Sequence, residues 1–402
     1  MSTHEIAGAA SAPGQGLSGG SVRPGLDVLL TERLDLVMGK RVGLITNPTG
    51  VRADLTSGID ALHTQAGVTL AALFGPEHGV RGQAQAGEAV QSGTDPRTGV
   101  PAYSLYGNVR QPTAEMLRGI DILLFDIQDV GARFYTYIWT MVLAMQAAAK
   151  HGVPFVVLDR PNPIAGLAVE GPVLDRRFES FVGMYPIPVR HGMTVGELAR
   201  LFNTEYGIGA ELTVVPAKGW RRELWFDQTG LPWIMPSPNM PTLETATVYP
   251  GSAFIEGTSL SEGRGTTRPF ELIGAPWIDP YILADELNAR GLPGVRFRPA
   301  YFAPTFSKHA GQTCGGIQLH VTDRQAFRPV ATGVHLLDAA RRRWPERFQW
   351  QQSGGSFSID RLAGTDALRL ALNRGVPPAE IIASWDEGAR SFAQIRQKYL
   401  LY

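Results

Sequence analysis

The 402-residue sequence predicts an α/β fold built on a mostly parallel sheet with helices on both faces. Three observations carry that prediction. In the first half, short and nearly unbroken apolar runs alternate with helical patterns, as expected of strands buried on both faces. Four of the runs stop at polar residues: Asn47, Glu77 with His78, Asp126 with Gln128 and Asp129, and Asp159-Arg160 with Asn162. In a parallel sheet these ends share one edge, where open α/β sheets bind ligands. After about Gly274 the pattern changes to two strand candidates among helices, an α+β arrangement. A chain of this length has room for about two to three domains. The sequence divides into a Gly-, Ala- and Ser-rich tail over 1–22, expected to be disordered, a larger unit over 23–273 and a smaller one over 274–402.

Taken in order, residues 23–39 carry leucine and valine at helical spacing and stop at Gly39. RVGLIT at 41–46 reads as a strand, closed by NPTG. A helix over about 55–65 leads to the strand VTLAALF at 68–74 and the sharp turn GPEHG at 75–79, where glycine and proline break the run. Residues 82–107 are loop-rich. A short helix near 113–119 precedes the strand DILLFD at 121–126. A long apolar helix over about 137–150 is followed by the strand VPFVVL at 153–158. EGP at 170–172 reads as a turn and YPIPVRH at 185–191 as extended chain. Thr194 and Glu197 form a capping box that opens a helix to about 206. PSPNMP at 236–241 suits neither helix nor central strand, because its prolines remove backbone donors. The loop 256–270 is dense in hydroxyls, charges and glycine. Its arginines and flexible backbone suit either a solvated surface loop or an ordered binding loop. Farther on, Asp279-Pro280 opens a helix to about 290. Strands follow at 295–301 and 316–321, then helices over about 326–343, 362–373 and 378–399.

Composition narrows the function classes. Lysine plus arginine equals aspartate plus glutamate, 37 each, which disfavours a nucleic-acid surface. The single cysteine, Cys314, rules out an intrachain disulfide and reads as a small buried residue beside two glycines. No apolar run is long enough to span a membrane. The first residues show no basic segment followed by an apolar one, so a cytoplasmic location is expected.

The first strand is not followed by G-x-G-x-x-G, and there is neither a G-x-S-x-G elbow nor H-E-x-x-H spacing. Dinucleotide, serine-hydrolase and zinc-hydrolase chemistry therefore lack their signatures. What remains is carboxylates at loop positions among Asn, Arg, Tyr and Trp. That inventory suits sugar chemistry, in which one carboxylic acid protonates the leaving oxygen and a second carboxylate acts as base, nucleophile or charge stabiliser. Two other classes use similar features: a non-catalytic sugar-binding module, and an amino-sugar esterase or deacetylase acting through Ser259 or Ser261.

The motifs TNPTG (46–50), GPEHG (75–79), FDIQDVGARFYTYIWTM (125–141), LDRPNPI (158–164), EGP (170–172), PSPNMP (236–241) and EGTSLSEGRGTTRPF (256–270) resemble the NamZ family of exo-β-N-acetylmuramidases. The resemblance runs from about Gly25 to the C-terminus. It implies a Rossmann-like N-terminal domain, a smaller C-terminal domain, and a cleft between them. It also implies release of β-1,4-linked N-acetylmuramic acid from the non-reducing end of peptidoglycan-derived MurNAc-GlcNAc fragments, with neither metal nor nucleotide. The family's catalytic glutamates fall on Glu77 and Glu170, with Glu262 as a reserve second carboxylate. The substrate-binding set expected from the strand ends and matched motifs comprises Asn47, His78, Asp126, Gln128, Asp129, Arg133, Arg160, Asn162 and Asn239. Arg264 and Arg268 are candidates to pair with the lactyl carboxylate that distinguishes muramic acid from glucosamine. Many members of the family carry a secretion signal, so a chain without one is expected to handle imported fragments inside the cell.

Overall fold

The computed structural model describes residues 21–82 and 92–402. The tail expected over 1–22 lies outside the described residues as far as residue 20. Val22, by contrast, is buried, and its N–H donates to Thr229 O at 3.0 Å. In chain order the first part contains α1 (Gly25–Glu32), β1 (Arg41–Thr46), α2 (Gly58–Thr64), β2 (Thr69–Gly75), β3 (Gly93–Thr94), β4 (Pro101–Ser104), β5 (Ile122–Asp126), α3 (Tyr137–His151) and β6 (Phe155–Leu158). These are followed by β7 (Glu170–Val173), β8 (Pro188–Arg190), α4 (Val195–Glu205) and β9 (Leu212–Val215). Seven strands form one sheet in the order β3-β4-β2-β1-β5-β6-β9, parallel throughout except for the β3–β4 pair. The predicted α/β class is what the chain adopts.

Strand order reverses around β1, which pairs with β2 on one side and β5 on the other, in register from Val42↔Ile122 to Thr46↔Asp126. The central strands are apolar on both faces because helices cover both. The α3 helix, buried along most of its length, ends at Gly152 in the left-handed conformation. Several expected boundaries move. The helix read over 23–39 stops at Glu32 and gives way to a 3-10 turn, and the one read near 113–119 is a run of turns. EGP belongs to β7, not to a turn, with Gly171 bending the strand at φ +89°. The strands β4 (PAYS) and β9 (LTVV), only four residues each, escape the sequence reading.

The second part contains α5 (Leu243–Ser252), β10 (Leu272–Ala275), α6 (Pro280–Ala289), β11 (Val295–Phe302), β12 (Cys314–Val321), α7 (Pro329–Arg343), α8 (Ser358–Ala363), α9 (Ala367–Asn373), α10 (Pro378–Ala383) and α11 (Asp386–Arg396). Its three-stranded antiparallel sheet runs β10-β12-β11, with α5 against α7. The two long helices read at the C-terminus are each broken in two. Cys314 is buried in β12.

Buried cations join the two parts through carbonyls. Arg133, fully buried, donates through Nη1 to Pro172 O and Ile187 O (both 3.0 Å) and through Nη2 to Leu362 O (2.7 Å). Burial pulls its pKa down to about 9. Gly364 leaves room for the guanidinium: a Cβ there would meet Nη2 at 2.8 Å. Replacing Arg133 with alanine strands two buried acceptors, Pro172 O and Leu362 O, each costing about 1–3 kcal/mol, while Ile187 O keeps its bond from Leu174 N at 3.2 Å. We expect Arg133→Ala to lower the unfolding free energy by at least about 2 kcal/mol in urea denaturation, and a loss below about 1 kcal/mol would contradict the clamp.

Candidate functional site

The crevice at the strand-order reversal, where an α/β sheet usually takes its ligand, is filled by the protein's own side chains. Asp126, with no exposed surface, accepts from Arg160 Nε at 2.6 Å and Nη2 at 2.9 Å. Arg160 Nη2 also donates to Val51 O. Asn47 Oδ1 accepts from the Thr49 N–H and hydroxyl, and the Thr49 hydroxyl accepts from Gln128 N. Gln128 Nε2 donates to Pro161 O, and Asn162 Nδ2 to Met193 O. The space left beside Gln128 and Arg160 is about 20 Å³, enough for a single water. Asn47, Asp126, Gln128, Arg160 and Asn162 therefore converge on one edge as the sequence predicts, but there Asp126 and Arg160 bind each other and the three amides are taken up by Thr49 and by backbone groups.

The open cavity lies one strand over, beyond β2. GPEHG leaves the strand in a tight turn. Gly79 N donates to Pro76 O, and a Cβ on Gly75 would sit 2.8 Å from Val80 N. His78 takes the left-handed conformation, φ +75°. This turn sets Glu77 and His78 on the wall of a cavity of about 240 Å³. Thr136 precedes α3 in an N-cap position but makes no capping bond; its hydroxyl donates to Glu77 Oε2 at 3.3 Å. Tyr106 stands on the same wall. Burial and the neighbouring Glu77 charge push its hydroxyl up to about 12, so it stays protonated.

The second part of the chain closes the cavity with Tyr249, Glu256 and Arg264. Tyr135 packs edge-on against Tyr137 (5.0 Å) and Tyr249 (5.8 Å), and Tyr137's hydroxyl donates to Pro236 O. Glu256 Oε1 lies 3.2 Å from Arg264 Nη2. Arg264 Nε lies 3.4 Å from Glu262, which in turn pairs with Lys308 at 2.9 Å. Desolvation raises the Glu256 pKa above the usual carboxylate value; Arg264 opposes this and Glu262 adds to it. The loop 256–270 is thus an ordered wall with its glutamates and arginine fixed.

Of the sequence-derived candidates, Glu77, His78 and Arg264 line this cavity. Glu262 is buried behind it. Asp129 is buried, accepting from Gly131 N and lying 3.4 Å from His191 Nε2. Asn239 is buried in its own loop, and Arg133 is the clamp described above. Arg268 pairs with Glu271 in a separate depression by β12. Glu170 Oε1 accepts from Ala331 N at the start of α7, and its Oε2 lies 3.9 Å from Arg190; it is not on the cavity wall. Sequence reading missed Glu256, Tyr135 and Tyr249. Glu256 stands first in the motif EGTSLSEGRGTTRPF, but only folding shows which of its two glutamates faces out. Ser259 and Ser261 accept backbone N–H groups through their hydroxyls, at Gln349 and Gly263, which leaves neither set up as an esterase nucleophile. Among the described residues, no three His, Cys, Asp or Glu side chains cluster to hold a metal ion.

Two carboxylates and a fixed guanidinium in a small aromatic cavity mark an α/β protein equipped for carbohydrate chemistry. Sequence comparison agrees: residues 42–244 match the N-terminal and 247–402 the C-terminal profile of exo-β-N-acetylmuramidase NamZ. The chain belongs to this family. It is 54% identical over 381 residues to the peptidoglycan β-N-acetylmuramidase NamZ of Bacillus subtilis (strain 168), covering 95% of this chain and 91% of that one. Two DUF1343 family proteins from Bacteroides fragilis NCTC 9343 share the fold. One gives a TM-score of 0.89 at 40% identity, the other 0.77 at 32%, each over 95% of this chain and 99% of its own.

The turn that presents Glu77 can be tested without an activity assay. Replacing His78 by either glycine or alanine removes the same side-chain contacts, so their difference isolates the left-handed backbone. We expect His78→Gly to be more stable than His78→Ala by about 1 kcal/mol in thermal unfolding, and equal stabilities would argue against strain at this position.

Proposed function

We propose that the protein is an exo-acting glycosidase that releases N-acetylmuramic acid from the non-reducing end of β-1,4-linked peptidoglycan fragments. The observation that carries this reading is the meeting of Glu77 and Glu256 on one cavity walled by tyrosines. The cavity falls just below the roughly 300–1,000 Å³ of sites for drug-sized ligands, a size that suits one sugar ring.

In this reading Glu256 is the acid. Its desolvated carboxyl holds a proton above the ordinary carboxylate range and delivers it to the leaving oxygen. Glu77 is the second carboxylate, oriented by Thr136 to act on the sugar ring or on a water. In place of Glu256, the family resemblance pairs Glu77 with Glu170. Its bond to the α7 backbone and its place off the cavity wall favour a structural task. Arg264 is the partner for the lactyl carboxylate, and it couples binding to chemistry. A guanidinium drawn toward the substrate's carboxylate stabilises the Glu256 anion less, so Glu256 holds its proton more firmly once muramic acid is bound.

The decisive assay measures free N-acetylmuramic acid released from MurNAc-β-1,4-GlcNAc. Glu77→Gln and Glu256→Gln should each lose about 10² or more in kcat, while Glu170→Gln retains most activity where it folds. If the wild type binds the disaccharide without releasing sugar, the protein is a binding module. Large loss in Glu170→Gln with Glu256→Gln active would make Glu170, not Glu256, the partner of Glu77.

Arg264→Met carries two signatures. Loss of a charge-assisted hydrogen bond should lower kcat/KM roughly tenfold to a hundredfold on muramides and much less on the matching N-acetylglucosaminides. Removing the cation also raises the Glu256 pKa, so the basic limb of the kcat/KM pH profile should move to higher pH. Equal losses on both sugars, or a limb that stays in place, would refute the assignment.

A further inference from the structure

Beside the cavity lies a far larger groove. Phe181 lines both, and Tyr106 of the cavity continues directly into Gly107 of the groove. The groove encloses about 970 Å³ between the segment that follows Gly107, the turn around Phe181 and the Leu143–Gln146 face of α3. Its parts are fixed. Ser180 and Gly183 exchange backbone hydrogen bonds of 2.9 and 3.0 Å, which makes a tight turn with Phe181 and Val182 at its tip. The Arg110 guanidinium lies 4.8 Å from the Phe181 ring centroid. Tyr185 stacks on Tyr206 at 4.2 Å and accepts from Gln146 Nε2 at 3.1 Å.

We propose that this groove binds the saccharide on the leaving-group side of the scissile bond, a neutral chain of N-acetylated sugar. The proposal rests on the glycosidase reading above and extends it. An enzyme that takes a terminal sugar into a cavity of one-sugar size must leave the rest of the chain outside, and the groove adjoins that cavity through a shared aromatic ring. Its chemistry fits hydroxyls and acetamido groups. Asn108, Gln111 and Gln146 supply amide donors and acceptors, while Phe181 and Tyr185 supply ring faces for the apolar faces of sugars. Its charges, Arg110 and Glu179, offset each other, which suits a neutral chain better than a peptide bearing several carboxylates.

The test compares two substrates with the same muramic acid and different leaving groups: 4-nitrophenyl β-N-acetylmuraminide and MurNAc-β-1,4-GlcNAc. Gln111→Ala removes an amide from the groove, and Asn108→Trp fills it; both residues are exposed, so folding is not at stake. We expect each variant to lower the ratio of kcat/KM for the disaccharide over the aryl glycoside by about tenfold, with the change in KM. An unchanged ratio overturns the proposal. So does a ratio that changes only when the muramic acid carries a stem peptide, since the groove would then hold the peptide. If the wild type cleaves neither substrate, the glycosidase reading fails and the groove assignment falls with it.

Discussion

The Asp126–Arg160 ion pair decides where function can sit in this fold. It occupies the C-terminal edge of the sheet at the point where strand order reverses, with the carboxylate fully buried and held by two guanidinium bonds. A buried pair of this kind adds little net stability, because desolvating two charges offsets their attraction, yet removing one partner costs about 3–5 kcal/mol. Its main effect is geometric. It ties the end of β5 to the chain after β6, with a further Arg160 bond to Val51 O in the loop after β1, and fills the crevice that other α/β proteins leave to a ligand. The usable opening moves to the end of β2, where a glycine-lined turn carries Glu77 out of the sheet.

That opening is half a site until the second part of the chain covers it. The attachment relies on arginines that meet carbonyls with little or no carboxylate help. Arg133 holds β7, the chain before β8, and α8. Arg396, whose pKa burial pulls down to about 10, donates to the carbonyls of Gly166, Leu167, His191 and Gly192. The C-terminal Tyr402 donates to Asp159 at the end of β6. A guanidinium that serves several carbonyls fixes direction as well as distance, since each bond constrains the plane of the fork. Such joints hold the Glu256 loop against the Glu77 turn before any ligand arrives.

This division explains what the sequence reveals and what it conceals. Strand-and-helix alternation is written locally in apolar runs, so β1, β2, β5 and β6 are readable to within a residue or two. The strands β4 and β9 are short elements toward the two ends of the sheet, β9 at one edge and β4 between β2 and β3, and their pairing depends on neighbours already in place. The polar strand ends are legible as a set, and they do converge. Whether a converged polar group binds a ligand or its neighbours depends on partner distances that spacing does not encode, and here Asp126 and Arg160 satisfy each other while Gln128 and Asn162 are satisfied by backbone groups. Glu77 is readable because the glycines around it mark a turn. Glu256 is hidden because it shares a motif with Glu262, and only the fold separates the carboxylate on the cavity wall from the one sealed behind it and paired with Lys308.

The cluster formed by Glu256, Glu262, Arg264 and Lys308 is arranged unlike a structural salt-bridge network. Two carboxylates and two cations would balance if all were equally buried. Instead Glu262 takes the direct Lys308 contact and is sealed in, while Glu256 shares Arg264 and faces the cavity. Arg264 is therefore the one cation in the group with a claim from both the protein and the cavity. A neutral ligand would leave its ion pairs intact and find Glu256 partly stabilised as the anion. An anionic ligand competes for the guanidinium and relieves that stabilisation. The same arginine can then serve both as a recognition group for a carboxylate and as the device that keeps the neighbouring acid protonated when that carboxylate is present. Selectivity for an acidic sugar would then rest on proton affinity at Glu256 as well as on contact with Arg264.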